Sequence, residues 1–75
     1  MDPINDVKRL CPCWVVMRGG SRHRCDMPIG LAGNLNDATY TFLEGPTEQA
    51  VAWRQIAAFE SIADPSQRIT FAPRR

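Results

Sequence analysis

The chain has 75 residues, of which 44% are hydrophobic and 23% are charged, and its net charge is +1. This composition is typical of a folded domain and excludes a disordered tail, and no apolar run reaches the ~20 residues that a membrane-spanning helix needs. A chain of this length buries only about 60% of the surface that it exposes when unfolded, so we expect one domain with a small core over residues 1–75, with flexible ends at 1–9 and 72–75. Because the first residues lack the basic flank and apolar stretch of a signal peptide, we expect a cytoplasmic protein.

The charges are segregated along the chain. Basic residues without any acid occupy the stretch from Lys8 to Arg24, acids predominate from Asp26 to Asp64, and the C-terminal end is basic again. Nearly all of the basic residues are arginine, which makes better planar contacts than lysine with phosphate, carboxylate and aromatic groups. A bias in genome composition is the alternative explanation for this excess of arginine.

The first pattern in chain order predicts a β-hairpin. Trp14–Arg18 and Arg22–Cys25 flank residues 19–21 as two short strands flank a glycine turn. Two registers are open. With a three-residue loop, His23 lies opposite Met17 and shares a face with the cysteines of both strands, whereas a two-residue glycine loop moves His23 to the other face.

The elements after the hairpin are predicted from local signals. Proline, glycine and asparagine indicate a loop over residues 26–37, and a β-branched and aromatic run predicts a third strand over 39–43. Residues 46–63 have the pattern of a helix, and residues 68–71 that of a short fourth strand. The sequence therefore predicts an α+β fold: a small two-layer domain in which an antiparallel sheet of three to four strands carries one helix packed on a face.

The helix prediction depends on a start signal, a stripe and a stop signal. Pro46 suits the first helical position, and Asp64 precedes Pro65, which pushes it out of helical geometry. Between them runs an apolar stripe with spacings of four, three and four residues. The stripe consists of Ala52, Ile56, Phe59 and Ala63.

All three cysteines and the only histidine fall between Cys11 and Cys25. In a regular hairpin His23 lies about 20 Å from Cys11, and zinc ligands lie only about 2.0 to 2.3 Å from the ion, so one ion cannot use all four residues. A zinc site would need Cys11, Cys13 and Cys25 at the open end of the hairpin, with His23 drawn in by irregular backbone or Asp26 in its place. Our first interpretation is reduced, buried thiols without a cofactor, and structural zinc is the alternative.

Two motifs partly resemble a known family. Leu10-Cys11-Pro12-Cys13 with the later Cys25, and the run 47–54, resemble the small phage restriction-alleviation zinc ribbons, which have a C-P-x-C knuckle near the start and an acidic, alanine-rich helix start ending in tryptophan. Each knuckle of this chain lacks one cysteine at the spacing of that family. The resemblance implies a protein of a phage or another mobile element.

The sequence contains no recognisable catalytic motif. A cysteine nucleophile needs a base within hydrogen-bond reach, but His23 and Cys25 lie about 6.6 Å apart along one strand. The sequence has no glycine-rich phosphate loop and no paired-carboxylate motif, and a domain of this size rarely encloses a substrate-sized cleft. We therefore expect no enzyme activity.

The hairpin face that carries Trp14 has the composition of a binding surface. In the three-residue register this face has a tryptophan and aliphatic base beneath a cluster of arginines. Its residues are Trp14, Val16 and Arg18 on one strand, beside Arg22, Arg24 and Asp26. Tryptophan and arginine are common anchors of protein interfaces, and arginine also contacts nucleic-acid backbones. The alternative is a packed tryptophan under a solvated arginine rim.

These observations predict a small non-enzymatic interaction protein that binds a larger macromolecule, such as an inhibitor or adaptor of a phage or mobile element. A protein partner is favoured over the alternative of a nucleic acid, because the net charge is near zero and the acidic segment would oppose phosphate. A small structural-zinc protein is the other alternative, and no membrane contact is expected. Trp53, beside the small alanines of the predicted helix, is a second candidate surface that suits a homodimer.

Overall fold

The computed structural model describes residues 3–34 and 37–71. In this part the chain forms one α-helix, seven strands and a short 3₁₀ helix. Their bounds in chain order are α1 Pro3–Leu10, β1 Cys13–Met17, β2 Arg22–Cys25, β3 Met27–Ala32, β4 Thr39–Glu44, β5 Thr47–Ala52, the 3₁₀ helix Trp53–Gln55, β6 Ile56–Ser61 and β7 Arg68–Thr70. No helix within these described ranges is long and apolar enough to span a membrane.

The strands form two antiparallel sheets. One has the order β2-β1-β6-β7, and the other has the order β3-β4-β5. The chain passes between them at Asp26, which separates β2 from β3, and again at the 3₁₀ helix. The backbone N–H of Asp26 donates to the carbonyl of Leu43 at 2.8 Å, so hydrogen bonding to β4 begins at the first passage itself. The described residues are mostly sheet with one helix, which confirms the antiparallel part of the predicted fold. Seven strands in two sheets replace the single sheet of three to four strands that we predicted.

The core contains side chains from α1 and from both sheets. Val7 of α1 is only 1% exposed and Leu10 only 8%, so an ordered helix occupies most of the segment 1–9 that we predicted to be a flexible end. The predicted flexible end at 72–75 lies outside the described residues. The largest fully buried side chains are Tyr40, Phe42, Phe59, Ile56, Val7, Val15, Cys13 and Cys25.

The helix predicted over residues 46–63 is wrong. This segment forms two strands: β5 pairs with its neighbour β4 in a hairpin, and β6 pairs with β1, which is distant in sequence. Gly45, with a φ of +60°, stands with Pro46 between β4 and β5, where a glycine of positive φ followed by proline suits a tight hairpin turn. The signal that we read as a helix start is therefore a hairpin turn.

The apolar stripe of the predicted helix is divided between different environments. Ile56 and Phe59 are buried in β6, but Ala52 and Ala63 are exposed. Two buried positions three residues apart fit a helix, and they also fit a strand with an irregularity. β6 has such an irregularity, because its pairing with β1 shifts register between Val16 and Met17.

The predicted β1–β2 hairpin is confirmed, but its register differs from the two registers that the sequence left open. His23 lies opposite Val15 and not opposite Met17. The loop 18–20 begins one residue earlier than predicted, and Gly20 ends it with a φ of +98°, as in three-residue loops built from a type I turn and a glycine bulge. The partner of each residue thereby changes by two positions, so the faces remain those of the predicted three-residue loop.

The loop predicted over residues 26–37 is wrong in its first half, where β3 forms. β3 is an edge strand that pairs with β4 and has a register shift between Pro28 and Gly30. Edge strands tolerate a proline and often contain such bulges, so the breaker residues are accommodated within a strand. The strands predicted over 39–43 and 68–71 are confirmed by β4 and β7.

Candidate functional site

The inner face of the β1–β2 hairpin carries two of the three cysteines, and the third lies beside them. Cys13 begins β1 and lies opposite Cys25, which ends β2, while Cys11 follows the last residue of α1. The Sγ atom of Cys11 is 3.8 Å from the Sγ atoms of both Cys13 and Cys25. All three sulfur atoms lie within 4.8 Å of one another, and we call these residues the thiol cluster.

The thiol cluster is buried on one side and reachable on the other. Cys13 and Cys25 are 0% exposed, whereas Cys11 is half-buried. The Sγ of Cys11 donates to the carbonyl of Val7 at 3.3 Å, and the hydroxyl of the buried Tyr40 lies 3.2 Å from the Sγ of Cys25. Cys11 is thus the member through which solvent approaches the cluster.

The three thiols do not ionise equally. The pKa of Cys25 is lowered, because hydrogen bonds from Cys11 and Cys13, and a further one from Tyr40, stabilise its thiolate. The pKa of Cys13 is raised by its hydrogen bonds with Cys11 and Cys25 and by burial. Burial, followed by the hydrogen bond with Cys25, raises the pKa of Tyr40. One negative charge is therefore accommodated at Cys25, and further ionisation without a cation is opposed.

Neither residue that we considered as a fourth ligand joins the cluster. The His23 ring packs at a tilt against Phe42, with 6.3 Å between ring centroids. The carboxylate of Asp26 accepts hydrogen bonds from the Gly45 N–H at 2.6 Å and from Nε of Arg24 at 2.9 Å. Across residues 3–34 and 37–71, the one group of three or more metal-ligating side chains is the thiol cluster.

Tyr40 is a member of the site that sequence reasoning missed. Tyr40 was assigned to the third strand, but nothing in the sequence brings that strand next to Cys25. The contact arises because β4 belongs to the second sheet, which shares its core with the hairpin. Only the tertiary structure could have indicated it.

The outer face of the four-stranded sheet carries the predicted tryptophan and arginines. Alternation places Trp14 opposite Arg24 on one side and opposite Glu60 on the other, and Glu60 lies opposite Arg68. Val16 and Arg22 form the neighbouring pair on the same face. We call Trp14, Val16, Arg22, Arg24 and Arg68 the arginine face.

The arginine face is accessible and carries excess positive charge. The side chains of Arg22, Arg24 and Arg68 are 55%, 53% and 59% exposed. Glu60 is the acid at its centre, 4.0 Å from Arg22 and 3.6 Å from Arg68. Arg24 pairs instead with Asp26 at 2.9 Å, so the three arginines stand against two acids. Sequence reasoning missed Arg68, because its strand joins this sheet through β6.

Two residues predicted for binding do not belong to this face. Arg18 lies in the hairpin loop, where its Nε donates to the carbonyl of Arg54 at 2.9 Å. Trp53 packs against the rings of Tyr40 and Phe59, at centroid distances of 5.7 and 5.8 Å. With the predicted helix absent, the alanine surface around Trp53 that suited a homodimer is not formed.

A comparison with family models, curated proteins and solved structures finds no match to this chain. The partial resemblance to the phage zinc ribbons therefore stays a prediction. The structure presents two candidate sites: the buried thiol cluster and the exposed arginine face.

Proposed function

We propose that this chain is a small non-enzymatic interaction protein that binds an acidic surface of a larger protein through the arginine face. The observation that carries the proposal is the row Arg24, Trp14, Glu60 and Arg68, which crosses all four strands of one sheet on its outer side. A half-buried indole at the centre with exposed guanidinium groups around it combines the two side-chain types that most often anchor protein interfaces.

The side chains of the arginine face suit docking on a surface. The backbone of Trp14 is held by strand pairing on both sides, so the backbone loses little conformational freedom on binding. Arg22 and Arg68 share one carboxylate at 3.6 to 4.0 Å, and such exposed ion pairs contribute only about 0 to 1 kcal/mol. They can therefore exchange Glu60 for carboxylates of a partner at small cost.

A protein partner fits this face better than a nucleic acid does. The central Glu60 is only 24% exposed and lies between two of the arginines, so a regularly spaced phosphate backbone would meet a negative charge at the middle of its path. A folded partner can place its own acids at the rim and an apolar group over Trp14. The position of Glu60 thus favours a protein over a nucleic acid as the partner.

The test is capture of partners by the purified chain from a lysate of cells that encode it. We expect Arg22→Glu combined with Arg24→Glu to lose the captured protein, because both substitutions oppose its acids. The matched control reverses two exposed charges elsewhere, Arg9→Glu with Arg54→Glu, and should keep the partner. Equal capture by the two double variants, with unchanged thermal unfolding, would overturn the proposal.

A second arm of the experiment tests the nucleic-acid alternative. The purified chain is applied to phosphocellulose, and the salt concentration that elutes it is recorded. Separately, the capture experiment is repeated after the lysate is treated with nuclease. Binding to nucleic acid through several phosphates gives retention that falls steeply with salt. Steep retention, with capture that nuclease abolishes, would replace the protein partner by a nucleic acid.

A further inference from the structure

The thiol cluster has the spacing of a metal centre. Zinc–sulfur bonds are about 2.3 Å long, which puts neighbouring sulfur atoms of a tetrahedral site about 3.8 Å apart. The Sγ of Cys11 is 3.8 Å from the Sγ of Cys13 and 3.8 Å from that of Cys25, and the third separation lies within 4.8 Å. Two of the three separations therefore already match a tetrahedral zinc site, and the third needs to shorten by at most about 1 Å.

Three separate parts of the backbone supply these sulfur atoms. Cys11 directly follows α1, Cys13 begins β1 and Cys25 ends β2. Packing of small apolar side chains requires no convergence of three sulfur atoms on one point. The Tyr40 hydroxyl, 3.2 Å from the Sγ of Cys25, adds a hydrogen-bond donor of the kind that orients metal-bound ligands.

We propose that Cys11, Cys13 and Cys25 bind one thiophilic metal ion, Zn²⁺, through their three Sγ atoms. Each thiol releases its proton as its sulfur–zinc bond forms, so the filled site holds three thiolates and one divalent ion. Among the described residues, no histidine, further cysteine or carboxylate joins the cluster as a fourth ligand. The half-buried Cys11 marks the side on which water completes the coordination shell.

The ion would fasten α1 to the hairpin. Cys11 directly follows the helix, and the other two ligands belong to the strands β1 and β2. Small domains with thin cores commonly obtain part of their stability from such a link. This proposal is independent of the arginine face, because alternate residues of the hairpin place the two sites on opposite faces.

The experiment titrates the reduced, metal-free chain with Zn²⁺ in competition with a chromophoric chelator, and native mass spectrometry reports the stoichiometry. We expect one zinc ion per chain, at least tenfold weaker binding by Cys13→Ser, and unfolding at a lower temperature after metal removal. His23→Gln is the matched control and should bind zinc like the parent chain. Absence of zinc from the reduced chain would overturn the proposal, as would equal affinity of Cys13→Ser.

A second measurement keeps the test decisive if Cys13→Ser fails to fold. Co²⁺ replaces Zn²⁺, and the intensity of the thiolate-to-cobalt charge-transfer absorption reports how many sulfur ligands are bound. We expect an intensity for three thiolates in the parent chain and for two in Cys11→Ser, where the changed residue is the partly exposed one. Equal intensity in both would exclude Cys11 as a ligand, and binding of Cu⁺ without any binding of Zn²⁺ would overturn the assignment to zinc.

Discussion

The two faces of the four-stranded sheet differ in burial and in the chemistry of their side chains. Its inner face holds Cys13, Cys25, Val15 and Phe59, each 0% exposed. Its outer face holds Trp14 and Glu60, half-buried, among exposed arginines. Successive residues of a strand point to opposite sides of the sheet. Cys13, Cys25 and Phe59 on the inner face are therefore next in sequence to Trp14, Arg24 and Glu60 on the outer face.

This contrast teaches that two candidate sites can share one hairpin without sharing a residue. The thiol cluster requires burial and convergence with α1, so substitutions there are expected to alter stability and metal content. The arginine face requires exposure, so substitutions there are expected to alter partner capture. Adjacent residues therefore make the sharpest test of whether the two faces are independent.

The largest effect is expected from Phe59→Ala on the inner face. Phe59 is fully buried and contacts the rings of Tyr40, Trp53 and Phe71, and truncation of such a phenylalanine typically costs about 3 to 5 kcal/mol. Its sequence neighbour Glu60 faces outwards, and Glu60→Ala should change the free energy of unfolding by less than about 1 kcal/mol. Urea unfolding followed by fluorescence measures both.

Small domains are stable by only about 5 to 15 kcal/mol, so the loss at Phe59→Ala can be large enough to unfold the chain. Phe59→Leu then provides the measurement, with a smaller loss of stability in the same direction. If Glu60→Ala destabilised the chain as much as Phe59→Leu does, the assignment of the two faces would be wrong.

An intermediate effect is expected at the turn that sets the register of the two faces. Gly20 has a φ of +98°, and a side chain there pays the left-handed penalty of about 1 to 2 kcal/mol. No atom lies within 4 Å of a Cβ added at Gly20 or at Gly19, so the cost is conformational and not steric. Gly19→Ala, at ordinary φ, is the control.

The measurement at the turn is the difference in unfolding free energy between Gly20→Ala and Gly19→Ala. We expect Gly20→Ala to be the less stable variant while both retain zinc binding. Equal stability of the two variants would place the glycine bulge elsewhere in the loop. The register that brings Cys13 opposite Cys25 would then be wrong as well.

The hairpin and two further strands could be predicted from sequence because their signals are local. Alternating β-branched and aromatic residues and a glycine pair identify such strands. The segment from Gly45 to Ser61 could not be assigned in this way. A Gly-Pro pair begins helices and also closes hairpins, and the buried Ile56 and Phe59 fit either period until their pairing with β1 is known.

The candidate sites show the same limit. Residue type marked the three cysteines as candidate metal ligands, as the alternative to our first interpretation of buried thiols. The regular-hairpin argument could not place Cys11, whose position depends on α1 and on the chain that follows it. His23 was included because it lies close in sequence, whereas its ring packs on Phe42. Tyr40 was missed because it reaches Cys25 through the core that the two sheets share. Arg68 was missed because β7 reaches the hairpin only through β6, whose pairing with β1 is distant in sequence.

The smallest change in stability, with a distinct effect on binding, is expected from Glu60→Gln. The ion pairs of Glu60 with Arg22 and Arg68 are long and exposed on the arginine side, so their loss should cost no more than about 1 kcal/mol. The substitution leaves Arg22 and Arg68 without their carboxylate, while Arg24 keeps its ion pair with Asp26 at 2.9 Å. If the arginine face binds a carboxylate-rich protein, the released guanidinium groups attract it more strongly, and the salt concentration that elutes the captured partner should rise. A lower elution concentration would mean that Glu60 itself contacts the partner, and the face would then recognise a mixed pattern of charges instead of an acidic one.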